Sequence, residues 1–420
     1  MVSRTSQDIR CLNRFEVLRH LYGGDEARSR QELATATGLS FATVANLTSE
    51  LLEAGVLVEA GRAGSGGGRP RALLTLNAER GALIGVDVAE ASVRVELFDL
   101  ALRELHVQER PLPPDLVEPA QVVQEIAAGI DAVLAATDTP AEHVLGAGVS
   151  VPGLVEREGG VSAYSPYWAW RQVPLRALLA EHVGIPLYLD NPLKASTVAE
   201  MWFGAGREVD DLVVVTLRTG VGAGFAVGGA LYRGFTNSAG EWGHTCLELD
   251  GRLCRCGSRG CVEAYVGTRG VVETLRAVAP DDPLLDTPDG AGVLRALARR
   301  AADGEPVAEE VVERTGRYLG AAVANLVNLL NPEVLVLGNQ VAEQLGEPLL
   351  ARTRAAVDRH ALAQPLRAVD LRLSTLPENA VSRGAATFAL EGFLNNRELF
   401  GSVSRARASR GRGGNRTAGK

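Results

Sequence analysis

Residues 240–263 read GEWGHTCLELDGRLCRCGSRGCVE and hold four of the chain's five cysteines, three of them, Cys254, Cys256 and Cys261, within eight residues. In the run Cys-x-Cys-Gly-x-x-Gly-Cys, Gly257 and Gly260 permit the tight turns that bring the sulfurs to one side of a loop. His244, ten residues before Cys254, completes a Cys₃His set within eighteen residues. Three thiolates and an imidazole suit tetrahedral zinc and fill its four positions, which makes the metal structural and not catalytic. The plainer alternative, buried cysteines beside a core histidine, is disfavoured because cysteine is sparse elsewhere in the chain. Cys246 is expected in a strand core, outside the ligand set.

Gly-Glu-x-Gly-His followed by Cys-x-Cys-Gly-x-x-Gly-Cys-x-Glu resembles the signature of the ROK family, which unites sugar-responsive repressors with sugar kinases. The resemblance implies that the zinc loop clips a sugar-binding site, with Glu241, His244 and Glu263 facing sugar hydroxyls and His244 also holding the metal. The chemistry is consistent. Carboxylates accept hydrogen bonds from vicinal hydroxyls, and a bound metal fixes the imidazole tautomer.

The chain has 420 residues, enough for two or three domains, and is 46% hydrophobic without an apolar window long enough to span a membrane. No signal-peptide pattern opens it, and clustered thiols at metal spacing favour a reducing compartment, so a cytoplasmic location is expected. The net charge of −8 divides unevenly: +1 over residues 1–78, +6 over 401–420, and therefore about −15 between them. Such a middle is no nucleic-acid surface, so any DNA contact belongs to the ends. The tail 401–420 is Gly-, Ser- and Arg-rich and is expected to be disordered. Lys194 and Lys420 are the only lysines.

Residues 11–21 place apolar side chains at near-helical spacing before Gly23-Gly24. The next stretch, SRQELATATGLSFATVANLTSELLEAGVL, reads as two helices about a Gly38 turn. Ser29 with Glu32 forms a capping box for the first, and Ser40 caps the second. Leu33, Ala36, Leu39, Val44, Leu47, Leu51 and Leu52 are expected to form the seam between them. Two short strands around a Gly-rich tip follow, so the head reads as a winged helix-turn-helix with 40–53 as recognition helix. Its DNA candidates are Phe41, Thr43, Asn46 and Ser49 on that helix, with Arg62, Arg69 and Arg71 at the wing. The alternatives are a small protein-interaction module and a flexible Gly linker. Gly68-Arg69-Pro70 also resembles the wing of ROK repressors.

From Ala82 onward the chain is α/β, and the resemblance implies a two-lobed hexokinase/actin-like (ribonuclease H-like) domain. Lobe 1 would cover 79–192 with a returning helix at 380–398, and lobe 2 would cover 193–379. Pro152-Gly153 resembles the turn whose backbone lies against the sugar, and Asn191 stands at the asparagine of the family's Asn-Asp pair. Tyr164, Tyr167, Trp168 and Trp170 form either a stacking platform for a sugar face or plain core. Four positions depart from the kinase pattern. Ala89 replaces the glycine of the first phosphate loop, and Pro192 replaces the aspartate that takes the hydroxyl proton. Arg218 and Asn339 replace glycines in the nucleotide turns.

These departures point away from an enzyme and toward a DNA-binding repressor of carbohydrate-related genes. Its expected partners are a sugar or sugar-derivative effector and a pseudo-palindromic double-stranded operator, bound as a homodimer or homotetramer, with no membrane role. The alternative is an ATP-dependent sugar kinase carrying a DNA-binding head.

Overall fold

A computed structural model describes residues 6–22, 27–63, 71–113, 118–287, 289–377 and 379–396. The chain divides into two compact units. One takes in the chain up to Val151, Pro174–Asp190 and the stretch from Ala385, and the other takes in Pro152–Val173 and Asn191–Gly384.

The first unit begins with helices Ser6–Arg19, Arg30–Thr37 and Phe41–Glu53. A three-stranded antiparallel sheet accompanies them, in the order Arg28–Ser29, Arg71–Leu76, Leu57–Ala63. The capping box forms: Ser29 N–H donates to Glu32 Oε2 at 2.7 Å and Glu32 N–H to Ser29 Oγ at 3.3 Å. Gly38 ends that helix in the left-handed region at φ 66°, and Ser40 Oγ accepts from Thr43 N–H at 3.1 Å to start the next. Leu33, Val44, Leu47 and Leu51 are buried together with Val17 and Leu18 from the first helix and Leu21 just after it. Ala36 is exposed, contrary to expectation, and Ala34 lies inside in its place, because the helix turns that face inward. The first helix starts at Ser6, ahead of the residue-11 start read from the pattern.

One buried charge was not foreseen. Glu50, on the helix Phe41–Glu53, is 1% exposed and pairs with Arg10 and with the buried Arg14, whose Nη2 lies 2.9 Å away. Arg14 Nη1 also donates to the Leu394 carbonyl at 3.4 Å in the last helix, Ala380–Leu394. Nearby, Tyr22 O–H donates to Leu100 O at 2.7 Å, while Arg80 donates to Ala54 O at 2.9 Å and lies over the Phe393 ring. The helical head is thus fastened to the rest of its unit by polar anchors.

Those anchors meet a five-stranded sheet in the order Leu187–Asp190, Val144–Ser150, Ala82–Val88, Ser92–Asp99, Glu104–Pro111. Its first three strands run parallel and the last two antiparallel. Helix Pro119–Ala136 packs on it, and helix Ala380–Leu394 approaches so closely that a Cβ at Gly148 would lie 1.8 Å from the Ala385 carbonyl oxygen.

The second unit has its own five-stranded sheet, in the order Ala230–Tyr232, Val221–Val227, Leu212–Leu217, Val334–Gly338, Asp370–Leu373. Val213, Val215, Leu335 and Leu337 pack on the helices Thr268–Val278, Gly290–Ala302, Pro306–Leu330 and Gln340–His360. Asn331 ends the long helix in the left-handed region, φ 46°, where asparagine is tolerated. A small antiparallel sheet, Leu154–Glu156, Val161–Ser165 and Trp170–Val173, completes the unit. Among the described residues, no helix is long and apolar enough to cross a membrane.

Removing Arg14 leaves Glu50 buried with the half-exposed Arg10 alone. Arg14→Ala should destabilise the protein by about 3 kcal/mol, the low end for breaking a buried pair. Arg14→Met combined with Glu50→Leu should recover most of that loss in urea denaturation. Equal losses for the single and double variants would refute a buried pair.

Candidate metal centre and effector site

The metal loop is built on glycine. Gly240, at φ 108°, precedes the short helical turn Glu241–His244, and a Cβ there would meet Ala223 O at 2.7 Å. Gly243 is as tightly held, with Val221 O 2.1 Å from its would-be Cβ. The turn therefore lies flat on the strand Val221–Val227. Gly257 and Gly260 take φ values of 91° and 76°, as their spacing predicted. Gly260 could accept no side chain, since Glu248 O would be 1.7 Å from a Cβ.

The donor atoms of His244, Cys254, Cys256 and Cys261 all lie within 4.8 Å of one another. Cys254 Sγ is 3.6 Å from His244 Nδ1, and the sulfurs of Cys256 and Cys261 are 3.7 Å apart. A tetrahedral zinc with Zn–S near 2.3 Å requires ligand-to-ligand edges of about 3.6–3.8 Å. The residues fit the ion. Burial pushes the Cys254 and Cys261 thiols up. At Cys256 burial acts the same way, but hydrogen bonds with the Ser258 backbone and side chain outweigh it and bring the thiol down to about 7. A bound cation would hold all three as thiolates. Cys246 is exposed and outside this cluster, in an isolated bridge with Cys261, so the expected strand-core place is corrected.

Glu263 follows the last cysteine and opens the helix Glu263–Val266. Its Oε2 accepts the Val221 N–H at 3.1 Å and its Oε1 lies 3.4 Å from Cys254 Sγ. Burial raises the Glu241 carboxyl above its ordinary range, Lys194 and His244 oppose that rise, and Glu263 adds to it. Glu241, His244 and Glu263 therefore share one electrostatic neighbourhood. Asn191 and Gly153 also meet: Asn191 Nδ2 donates to Gly153 O at 3.2 Å, and Asn191 Oδ1 caps the helix Pro192–Phe203 by accepting from Lys194 N–H. Gly153 has φ 100° and its would-be Cβ lies 2.2 Å from Tyr164 O, so no other residue fits that turn.

Sequence reasoning missed Lys194. It is 1% exposed, its Nζ donates to Ala239 O at 2.7 Å, and it is the only lysine among the described residues. A lone lysine in an arginine-rich chain, three residues past a helix cap, was the available signal.

The aromatic run divides between its two readings. Trp168 and Trp170 are buried and stacked with centroids 4.5 Å apart, so they are core. Tyr164 and Tyr167 are half-buried and carry guanidinium groups over their rings, Arg171 at 4.9 Å and Arg255 at 5.6 Å. Arg255 sits between two metal-loop cysteines.

At the altered kinase positions, Pro192 is the first residue of its helix and offers no proton acceptor. Ala89 follows the strand Ala82–Val88 without a positive φ. Asn339, which the resemblance sets at a glycine of the nucleotide turns, stands at φ 68° and ψ −174°, a region that costs a non-glycine residue about 1–3 kcal/mol.

In the winged head Phe41 is 53% exposed, Asn46 is exposed, and Thr43 and Ser49 are partly so. Thr43 Oγ1 lies 2.8 Å from Ser40 Oγ, and Ser49 Oγ donates to Ala45 O at 2.8 Å. Arg71 is exposed at the start of its strand. Arg69 and the basic tail 401–420 lie outside the described residues, as does the side chain of Arg62.

A winged helix joined to α/β units of this topology defines a chain of the hexokinase/actin-like class with an added helical head. The ROK family model matches residues 83–391, and the chain belongs to that family. The xylose repressor of Caldicellulosiruptor bescii is 29% identical over 383 residues, covering 87% of this chain and 92% of that protein. The Escherichia coli K12 DNA-binding transcriptional dual regulator NagC is 26% identical over 336 residues, covering 80% and 82%. Among solved structures, a ROK family transcriptional regulator described as a homologue of the E. coli MLC protein superposes with a TM-score of 0.76. It is 24% identical and covers 94% of this chain and 99% of its own. A ROK glucokinase from Streptomyces griseus, in complex with glucose and AMPPNP, reaches 0.66 at 29% identity, covering 74% and 100%.

The purified protein should hold about one zinc ion per chain. Cys256→Ser should lose it and, with it, the order of Glu263. Metal analysis together with proteolysis of the 244–263 loop checks this, and a metal-free variant with an equally resistant loop would count against the clip.

Proposed function

We propose that this protein is a DNA-binding repressor of carbohydrate-related genes whose ROK portion senses a sugar or sugar derivative and transfers no phosphoryl group. The observation that carries this reading is the pairing, in one chain, of an exposed capped helix on a winged head with Pro192 at the position of the catalytic base. The relatives named as repressors support it, and they match the chain over most of its length.

In this reading the helix Phe41–Glu53 enters the major groove with Phe41, Thr43, Asn46 and Ser49 toward base edges, and Arg62, Arg69 and Arg71 meet phosphates or the minor groove. Two heads of a homodimer, or of a homotetramer, read the halves of a pseudo-palindromic operator in the cytoplasm. Gly153 and Asn191 flank the effector, while Glu241, His244 and Glu263 accept or orient its hydroxyls. His244, Cys254, Cys256 and Cys261 would hold zinc, which fixes the loop and supplies no reacting ligand.

Asn46→Ala should cost about 1–3 kcal/mol at particular operator positions, whereas Arg71→Ala should weaken all sequences evenly and flatten the salt dependence. Gel-shift titrations against an operator selected from random sequence distinguish these. Specific binding that survives removal of residues 1–78 would sink the assignment.

For catalysis, loss of a general base commonly costs about 10²–10⁴-fold. Phosphoryl transfer also needs loops that position phosphate, where Ala89 and Arg218 depart from glycine. A coupled assay should therefore detect no ATP-dependent phosphorylation of any sugar that alters operator affinity, and Pro192→Asp alone should recover little. Turnover by the unmodified protein would overturn the regulator-only reading.

A further inference from the structure

Of the four cysteines between 240 and 263, Cys246 alone stands outside the ligand set, yet it lies opposite one of its members. Cys246 and Cys261 face each other in an antiparallel bridge at the neck of the loop. The bonds that hold this bridge run from Leu247 N–H to Gly260 O at 2.7 Å and from Val262 N–H to Thr245 O at 3.0 Å. The two cysteines are therefore a non-hydrogen-bonded pair, the register in which opposed Cα atoms lie about 4.5 Å apart and side chains are nearest. That separation falls within the window of about 4.4–6.8 Å that a disulfide spans.

The two thiols differ in what reaches them. Cys246 is exposed, whereas Cys261 is 1% exposed, with its Sγ 3.7 Å from Cys256 Sγ and 3.7 Å from His244 O. The Cys246 sulfur rests against the backbone beside its partner: a Cβ at Gly260, the residue before Cys261, would lie 3.4 Å from it. With zinc bound, the electron pairs of Cys254, Cys256 and Cys261 are engaged by the cation, and Cys246 keeps the uncoordinated sulfur of the loop. Cys11, the remaining cysteine, is buried and belongs to the other unit. An oxidant arriving from solvent therefore meets Cys246 first, and the sulfur directly across the bridge is a zinc ligand.

We propose that Cys246 is an oxidation site for hydrogen peroxide and passes the oxidation to Cys261, so that a Cys246–Cys261 disulfide takes one ligand out of the metal centre. In the first step the Cys246 sulfur attacks a peroxide oxygen. An S–O bond forms, the O–O bond breaks, and the departing hydroxide takes up the thiol proton and leaves as water. In the second step Cys261 Sγ leaves the metal and attacks Cys246 Sγ. The S–S bond forms, the S–O bond breaks, and the hydroxide released takes a proton from solvent. Two electrons pass from the pair of sulfurs to one peroxide, which ends as two waters. His244, Cys254 and Cys256 then remain, three donors that no longer close a tetrahedron. Glu263, which holds the Val221 amide and lies against Cys254 Sγ, loses the fixed neighbour that orders it. The proposal rests on the zinc reading of the metal centre and adds to it a route by which oxidant undoes the clip.

The test is treatment of the zinc-loaded full-length protein with hydrogen peroxide, read by a chromogenic chelator for released zinc and by peptide mapping without reduction. Peroxide should release zinc as a Cys246–Cys261 linkage forms, and dithiothreitol with added zinc should restore the metal content. Cys246→Ser, at an exposed position outside the ligand set, should carry zinc before treatment and release it at least tenfold more slowly. Iodoacetamide supplies a measurement that needs no variant: it should label Cys246 ahead of the three ligand cysteines, and the labelled protein should resist peroxide as the variant does. The proposal is overturned if Cys246→Ser releases zinc at the unmodified protein's rate, or if the map joins ligand cysteines to one another and leaves Cys246 reduced. Zinc content before the oxidant separates the two ideas. Purified protein without zinc overturns the metal centre and the switch with it, whereas zinc loss that ignores Cys246 overturns the switch alone.

Discussion

Three sulfurs and a ring nitrogen held within 4.8 Å of each other set the terms for the second unit. Two of those thiols are buried, so without a cation they are weak acids crowded together, and with one they become the strongest cross-link in the loop. The cross-link is also where polar order begins. Cys254 lies against Glu263, Glu263 holds the Val221 amide, and the strand starting at Val221 carries the turn that presents Glu241 and His244. A bound cation would therefore order, through one short segment, groups that reach back to the strand at Val221. Glycine makes this possible, since at 240, 243 and 260 backbone oxygens occupy the space of a side chain.

The local chemistry of this arrangement was readable in advance. Metal spacing, the Ser29–Glu32 capping box and the Gly38 turn are short-range devices whose partners lie within at most eighteen residues, and the structure brings each set together. Long-range placement was not readable. Nothing near Glu50 in the sequence announces that it is buried, because its partners sit 36 and 40 residues away. The tryptophans at 168 and 170 read equally well as platform or core, since an aromatic run has no period that reports which face is covered. Ala36 and Ala34 illustrate the same limit: two alanines two residues apart lie on nearly opposite faces of a helix, and residues of one type do not report which face the partner helix covers.

Asn339 is held where glycine is at home, at φ 68° and ψ −174°, a backbone shape that a residue with a side chain takes only at a cost. Pro192 is the opposite case. It suits the first turn of a helix, where its missing N–H would have no partner in any case. Departures from a kinase pattern are thus not all alike, and only those that delete a reacting atom bear directly on chemistry.

The lysine content has a practical side. Among the described residues the one side-chain amine is Lys194, and it is 1% exposed with its nitrogen bonded to a backbone carbonyl. The described surface presents positive charge as guanidinium alone. Reagents and modifying enzymes that act on primary amines, such as acylating dyes and amine-reactive cross-linkers, have no exposed lysine to attack on the described surface. The arginine-lined faces would remain chemically untouched under conditions that would modify a lysine-rich protein throughout.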